Sequence, residues 1–339
     1  MKPKLIKIAI NRKIGAWVDE IRKTDKELAK LVESDVIVMG GAICSLLDNQ
    51  VPNDFDIYFK TTETTKKVIN FYYKQISGDP TTLKTIPYVD FTEREKGMEC
   101  DDDAFMFERE DPKGISLFIR SSGILKVPGA VQDAASNYFE EIGEELAMSL
   151  FGKVDENAMA SIDAEKDPEQ SEDKKTPPFS ATYVSDNAIT LSDGIQIVTR
   201  FCGEPDHILN YYDFEHCKMF YDYGNRDLRI SFNALEALHN KRLVYSGSRY
   251  PVCSLFRMRK FLERGFRINA GQIAKISFQI HDLELRDVNV LRDQLVGCDH
   301  AYFVVLLAQF EAAKIKQEKE GNTSFNFDNY LFELIDRMF

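Results

Sequence analysis

Two aspartates in the segment 53–59, which reads NDFDIYF, are the residues of this chain best suited to metal chemistry. Successive side chains of a strand point to opposite faces, so Asp54 and Asp56 share one face while the residues between and after them point into a core. Adjacent carboxylates repel each other unless a cation lies between them, and their hard oxygens suit Mg²⁺, with Mn²⁺ as the alternative. The pair predicts a metal site that could assist phosphoryl transfer. The polar face of an edge strand is the ordinary alternative.

A glycine pair precedes these aspartates. Gly40 and Gly41 follow the apolar segment Val36–Met39, which is typical of a buried strand. Without Cβ atoms the glycine backbone can approach a triphosphate closely, and the helix expected from 42 to 47 offers N–H groups to phosphate oxygens. A tight turn is the simpler explanation of the glycines alone. The joint spacing of strand, glycines, helix and aspartates favours a site for a metal-bound nucleoside triphosphate.

The whole segment GGAICSLLDNQVPNDFDIYF resembles the signature of the DNA polymerase β nucleotidyltransferase superfamily. It is especially similar to the head of tRNA CCA-adding enzymes and bacterial poly(A) polymerases. The resemblance implies a small mixed sheet flanked by helices, glycines that contact the triphosphate and two aspartates that bind the metals. Those RNA enzymes carry an Arg-Asp pair shortly after the glycines, where this chain has Ile43-Cys44-Ser45. Ser45 joins Gly40 and Gly41 as a candidate nucleotide-binding residue.

A third carboxylate on a later strand occurs in many members of that superfamily, and Asp213 is the candidate here. It follows the segment NAITLSDGIQIVTRF, which predicts a β-hairpin, and it belongs to the segment 211–214, which indicates another strand. On this interpretation Asp213 completes the metal site as a ligand or as a base-like partner of the other two aspartates. A helix N-cap or a turn is the alternative role.

A basic stripe is expected on the helix predicted from 254 to 263. Its four cations follow one another at spacings of three and four residues: Arg257, Lys260, Arg264 and Arg267. While the helix lasts, such residues share a face that can contact a triphosphate or a nucleic-acid backbone. A solvated helix surface is the alternative.

The same helix, SLFRMRKFLERGFRI, also resembles the Leu-Arg-x-x-Arg-Phe-x-x-x-x-Gly-Phe helix of the CCA-adding and poly(A) polymerase family. Arg257 and Phe261 match in register, and Lys260 stands where the family has its second Arg. Phe256 replaces Leu, and the Gly-Phe pair arrives one residue early. The resemblance implies that Arg257 and Lys260 touch the nucleotide or the acceptor. The complete layout also looks like uncharacterised nucleotidyltransferases of large bacteriophages.

The chain is expected to be an α+β protein in three parts. The nucleotidyltransferase head covers 1–79 and 180–232, with a polymerase-β-like mixed sheet flanked by helices. An insertion at 80–179 contains an acidic, flexible linker at 155–178, whose composition is poor in large apolar residues. An all-helical domain follows at 233–339. Two further helices are expected, at 134–151 in the insertion and at 299–317 in the helical domain.

Composition limits the classes of function. The 339 residues are 44% hydrophobic, enough for a substantial core, and the longest apolar run is too short to cross a bilayer, so we expect no membrane partner. Six scattered cysteines without a C-x-x-C pair, and no signal peptide, favour a cytoplasmic protein with reduced thiols. The net charge of −12 disfavours a protein that clamps nucleic acid over its whole surface, and leaves room for a local basic patch.

These features together predict a metal-dependent nucleotidyltransferase. It would move a nucleoside monophosphate from an NTP to a hydroxyl acceptor and release pyrophosphate, with an RNA or tRNA 3′ end as the leading acceptor. A protein or nucleotide acceptor keeps the same site and changes the product. A third alternative is a head without activity that binds nucleotides or RNA as a scaffold.

Overall fold

The computed structural model describes residues 3–77, 82–87, 104–119, 177–185, 187–285, 287, 290, 291 and 294. The described helices and strands fall in one compact unit, formed by Met1–Ala130 and Pro178–His300. A second unit, Val131–Pro177 with Ala301–Phe339, lies outside the described residues except for Pro177. The expected helices at 134–151 and 299–317, and nearly all of the acidic segment 155–178, therefore lie outside them as well.

The described part of the chain alternates helices with strands. The strands are β1 (Val36–Met39), β2 (Phe55–Phe59), β3 (Thr85–Pro87), β4 (Ala104–Glu110), β5 (Lys113–Ile119), β6 (Ala181–Ser185), β7 (Ala188–Leu191), β8 (Ile195–Cys202), β9 (Met219–Asp222) and β10 (Asp227–Ile230). The helices are α1 (Pro3–Thr24), α2 (Lys26–Asp35), α3 (Gly41–Leu47), α4 (Thr62–Ser77), α5 (Pro205–Leu209), α6 (Phe232–His239), α7 (Pro251–Glu263) and α8 (Ala270–His281), with a 3₁₀ turn at Glu215–Cys217.

Seven of the described strands form one mixed sheet in the order β10-β9-β1-β2-β8-β7-β6. Strand β2 lies between β1, which runs antiparallel to it, and β8, which runs parallel. Asp56 stands opposite Met39 on one side and Gln196 on the other. The register therefore places the end of β1, and the turn that follows it, beside the beginning of β2.

One face of this sheet is covered by the first helices. Helix α1 buries Ile6, Ile10, Ile14 and Trp17 at helical spacing, because one stripe of the helix must leave water. The indole Nε1 of Trp17 donates a hydrogen bond of 2.7 Å to the hydroxyl of Tyr72 in α4, which satisfies a polar group inside this core. The opposite face of the sheet is thus the one available to a site.

A small three-stranded sheet, β3-β4-β5, contacts the large one. A side chain at Gly114 in β5 would come within 1.8 Å of the backbone oxygen of Arg200 in β8, so glycine permits this close packing. The ammonium of Lys66 in α4 lies 2.6 Å from the carboxylate of Glu108 in β4. The described part of the expected insertion is therefore folded against the head.

The later helices begin at residues whose side chains cap them. Ser231 accepts a hydrogen bond from the backbone N–H of Ala234 at the start of α6, and Asn269 does the same for Gln272 at the start of α8. None of the described helices has both the length and the apolar character needed to span a membrane.

The fold class is confirmed as mixed α+β, with a mixed sheet flanked by helices and further helices after it. The expected strand at 211–214 is wrong: Phe214 forms one isolated bridge with Tyr245, and a 3₁₀ turn follows. The strands of that region are β9 and β10, which sequence reasoning missed because they are only four residues long.

Candidate functional site

The two aspartates lie on one face of the sheet, as expected. Phe55, Ile57 and Phe59 are 8%, 0% and 0% exposed and belong to the core under α1 and α4. Asp54, just before β2, is exposed, and Asp56 is partly buried within it. Both carboxylates therefore lie at the beginning of the strand, on the face opposite the helical core.

The glycine turn stands next to Asp56. Gly40 follows Met39, the register partner of Asp56, and has a φ of 71°, which favours glycine. A side chain there would come within 2.9 Å of the ring of Tyr212. Gly41 begins α3, and apart from its neighbours and its own helix backbone no atom of the described residues lies within 4 Å of the place where its Cβ would stand. Space is therefore open beside Gly41 and closed beside Gly40.

The electrostatics of Asp56 set it apart. Burial, and then the charge of Asp54, raise the pKa of its carboxyl from 3.8 to about 7, while Lys260 and Arg257 act in the opposite direction. Arg257 and Lys260 of α7 are therefore close enough to Asp56 for their charges to act on its carboxyl. A carboxylate pair that resists ionisation together is suited to a divalent cation, which would hold both in the charged form.

Two tyrosines form a wall of the site that sequence reasoning missed. Tyr58 follows Asp56 by two residues, on the same face, and the hydroxyl of Tyr212 donates to the Tyr58 hydroxyl at 3.1 Å. Burial is the first cause that raises the pKa of both phenols, so both remain neutral. The period of two along β2 could have identified Tyr58, whereas Tyr212 reaches the site from a loop.

The structure does not group Asp213 with Asp54 and Asp56, within the described residues. Its side chain is buried and accepts hydrogen bonds at its Oδ2 from Arg257 Nη1 at 2.8 Å and from Ser254 Oγ at 2.9 Å. In the part of the chain that the structure describes, no three His, Cys, Asp or Glu side chains are grouped so that they could hold a metal ion. We therefore revise its role: Asp213 fixes Arg257, which in turn faces Asp56.

Gln196 stands where a further carboxylate would be useful. It is the β8 residue in register with Asp56. Its neighbours Ile195 and Ile197 belong to the helical core, and Val198 packs with Tyr58 on the other face. Alternation therefore puts Gln196 on the face of Asp56. No sequence signal marks this pairing, because it joins strands that lie far apart in the chain.

Ser45 lies one helical turn after Gly41. Both line a cavity of about 20 Å³, together with His216 and Phe261, which has room for about one water molecule. Among the described residues, neither imidazole nitrogen of His216 has a hydrogen-bond partner by geometry, so a water in this cavity would satisfy one of them. Contact of Ser45 with a nucleotide stays a prediction.

The donor set fits Mg²⁺ or Mn²⁺ in part. Asp54 and Asp56 supply two carboxylates on one face, beside open space at Gly41. Mg²⁺ in proteins is commonly bound by one or two carboxylates together with substrate phosphates and water. The residues therefore suit an ion that arrives with a triphosphate more than an ion held by protein alone.

A model of the family described as "Gad2: Gabija anti-defense 2 family protein" matches residues 9–241. A protein named "Gabija anti-defense 2", from Bacillus phage SPbetaL7, is 24% identical over 101 residues. This match covers 29% of the present chain and 25% of that protein.

Solved structures of low similarity include "Thermotoga maritima CCA-adding enzyme complexed with tRNA_CCA", with 11% identity and a TM-score of 0.34 over 90% of this chain and 55% of that one. Another is "Structure of tRNA-processing enzyme with CTP", with 11% identity and a TM-score of 0.32 over 86% and 56%. The chain spans about half the length of these proteins. The scores are too low to bear on activity.

Proposed function

The chain belongs to the Gabija anti-defense 2 family, and we propose that it acts against that defence as a metal-dependent nucleotidyltransferase. The observation that carries the proposal is the shared face of Asp54 and Asp56 beside Gly40–Gly41, with Arg257 and Lys260 opposite. This arrangement combines metal-binding carboxylates, an open glycine turn and cations, which are the groups that a bound nucleoside triphosphate requires.

In the proposed reaction the acceptor hydroxyl oxygen bonds to the α-phosphorus of the NTP. The bond from that phosphorus to the bridging oxygen of the β-phosphate breaks, pyrophosphate leaves, and the hydroxyl proton passes to solvent. A divalent ion, when bound, supplies charge neutralisation at the phosphates.

The chain's own residues bind and orient the substrate in this proposal. Asp54 and Asp56 would hold the ion, and the Gly41 backbone would lie against the triphosphate, because no side chain fills that space. Arg257, fixed by the buried Asp213, would neutralise phosphate charge together with Lys260. Asp213 is thus a positioning residue.

The leading acceptor is the 3′ hydroxyl of an RNA. The family relation favours a second acceptor, a protein hydroxyl, because a factor directed against a defence can act by modifying one of its proteins. The two acceptors give different products: an RNA gains a nucleotide at its end, whereas a protein gains the mass of one nucleoside monophosphate.

The test uses the full chain with Mg²⁺ or Mn²⁺, each α-labelled NTP in turn, and either an RNA pool or proteins of the defence. We expect label in an acceptor and release of pyrophosphate, both lost in the double variant Asp54→Asn, Asp56→Asn. Glu27→Gln, which removes an exposed carboxylate from α2, is the matched control and should transfer normally. Transfer by the double variant would overturn the assignment.

A further inference from the structure

A groove lined by cations lies between the end of α6 and the turn after α7. Six residues line this basic groove: His239, Asn240, Lys241, Arg242, Gly265 and Arg267. It is an open surface depression of about 710 Å³. No lining residue carries a negative charge, although the chain as a whole has a net charge of −12.

The backbone holds the groove in a fixed shape. The N–H of Leu243 donates to the carbonyl of Arg267 at 2.9 Å, and the N–H of Arg267 donates to the carbonyl of Lys241 at 2.7 Å. Arg242 and Arg267 are thereby paired side by side in an isolated bridge. The backbone therefore places two arginines on adjacent, hydrogen-bonded segments, so their guanidinium groups can meet one anionic ligand together.

These two arginines are not neutralised by the protein. Both are exposed, and within the described residues neither Arg242 nor Arg267 forms an ion pair. Lys241, by contrast, pairs with Asp48 at 2.5 Å and lies 4.9 Å from the ring centre of Phe266. The groove therefore presents a net positive charge that an anionic ligand could neutralise.

We propose that the basic groove binds the phosphodiester backbone of a single nucleic-acid strand. The guanidinium fork matches two phosphate oxygens at once, and Gly265 leaves its side of the groove without a side chain. On the adjoining helix α6, Phe232 is 78% exposed and shares a face with Leu235 and His239, at spacings of three and four. Exposed aromatic and apolar groups beside cations favour stacked bases over an acidic peptide.

The groove lies beside the C-terminal end of α3, the helix that begins at Gly41. Where this inference assigns the strand as acceptor, it rests on the proposed function. The Lys241–Asp48 pair lies at the C-terminal end of α3, and Gly41 lies at its other end. Seven helical residues span about 10 Å, so the Lys241 side of the groove lies roughly that far from the glycine turn. Its 3′ end is then within reach of the proposed nucleotide site.

The test measures fluorescence anisotropy of labelled single-stranded RNA, single-stranded DNA and polyglutamate with the full chain, over a range of salt concentrations. The groove variant is Arg242→Gln with Arg267→Gln. The control, Lys30→Gln with Arg229→Gln, removes the same charge from two exposed residues elsewhere. We expect at least tenfold weaker nucleic-acid binding for the groove variant only, and a salt slope smaller by about 1.4, since each lost contact to a single strand accounts for about 0.7.

The inference would be overturned if the groove variant bound nucleic acid as well as the wild type, or if the control lost as much binding. It would also be overturned if the wild type bound no strand at 50 mM salt or preferred polyglutamate. Circular dichroism melting confirms that the variants are folded. The proposed function fails separately: a wild-type chain that binds the strand through the groove and transfers no nucleotide would retain the groove and lose the transferase assignment.

Discussion

At the scale of single residues, the two glycines of the turn differ: the fold itself requires Gly40, whereas we assign Gly41 a role in binding. Gly40 is fixed by its positive φ and by Tyr212, so any side chain there strains the fold. Gly41 has a helical position and open space around it, so the fold tolerates a side chain. Open space at this position is consistent with the proposed triphosphate lying against the Gly41 backbone.

Gly41→Ala is therefore expected to leave the free energy of unfolding unchanged or to raise it by less than about 1 kcal/mol. The same change is expected to weaken NTP binding at least tenfold. Calorimetric titration with each NTP and Mg²⁺ measures the second effect. Gly271→Ala, at the start of α8, is the matched control and should bind NTP normally. Full NTP affinity in Gly41→Ala would contradict a triphosphate at this turn.

The raised pKa of Asp56 makes stability depend on pH in a defined direction. Because the folded protein holds this proton more tightly than the unfolded chain, the free energy of unfolding falls as pH rises from 3.8 to about 7, and stays low above it. Without divalent ions at pH 8, Asp56→Asn should melt at a higher temperature than the wild type, and at pH 4 the two should be close. Mg²⁺ should raise the wild-type melting temperature at pH 8 and leave the variant unchanged.

Thermal melts at the two pH values measure this effect, with Glu27→Gln as the control that follows the wild type. A wild type that melts higher at pH 8 than Asp56→Asn, in the absence of metal, would contradict a destabilising carboxylate pair.

At the scale of elements, sequence patterns predicted what is local. The alternation in β2, the glycines after β1 and the hairpin of β7 and β8 are properties of short segments, and the structure confirms each one. The pairing of β2 with β8 is different, because it joins residues 56 and 196, which lie far apart in the chain. The position of Gln196 beside Asp56 and the contact of Asp213 with Arg257 become visible only in the three-dimensional structure.

The β2–β8 pairing predicts a gain of metal affinity. Gln196→Glu adds a third carboxylate on the face of Asp56, so we expect at least tenfold tighter Mn²⁺ binding, measured by electron paramagnetic resonance of free and bound ion. Gln196→Leu, of similar size and without charge, should bind no more tightly than the wild type. Equal Mn²⁺ affinity in the Glu variant and the wild type would show that residue 196 does not face the ion.

At the scale of the whole molecule, the family relation and the site make one joint prediction about infection. If the chemistry serves the anti-defence role, phage should form plaques on cells that carry the Gabija defence when those cells express the wild-type chain, and not when they express Asp54→Asn with Asp56→Asn. Plaque counts on cells without the defence control for expression. Full rescue by the double variant, at equal protein level, would separate the anti-defence role from nucleotidyl transfer.

The overall charge and the basic groove show how much the whole fold adds to the sequence. A net charge of −12 argues against nucleic-acid binding over the whole surface. The sequence predicted a single basic surface on one helix, formed by Arg257, Lys260, Arg264 and Arg267. In the structure the side chain of Arg257 binds Asp213, whereas the backbone of Arg267 forms a β-bridge with that of Arg242. Helix α7 ends at Glu263, so the last two cations, Arg264 and Arg267, lie beyond the helical face.

The most direct measurement is a crystal structure of the chain with Mn²⁺ and a non-hydrolysable NTP. The account predicts an anomalous Mn²⁺ peak between the carboxylates of Asp54 and Asp56, with the triphosphate against Gly41 and the Arg257 guanidinium facing the phosphates. A nucleotide bound elsewhere, or Mn²⁺ density away from both aspartates, would contradict the nucleotidyltransferase site.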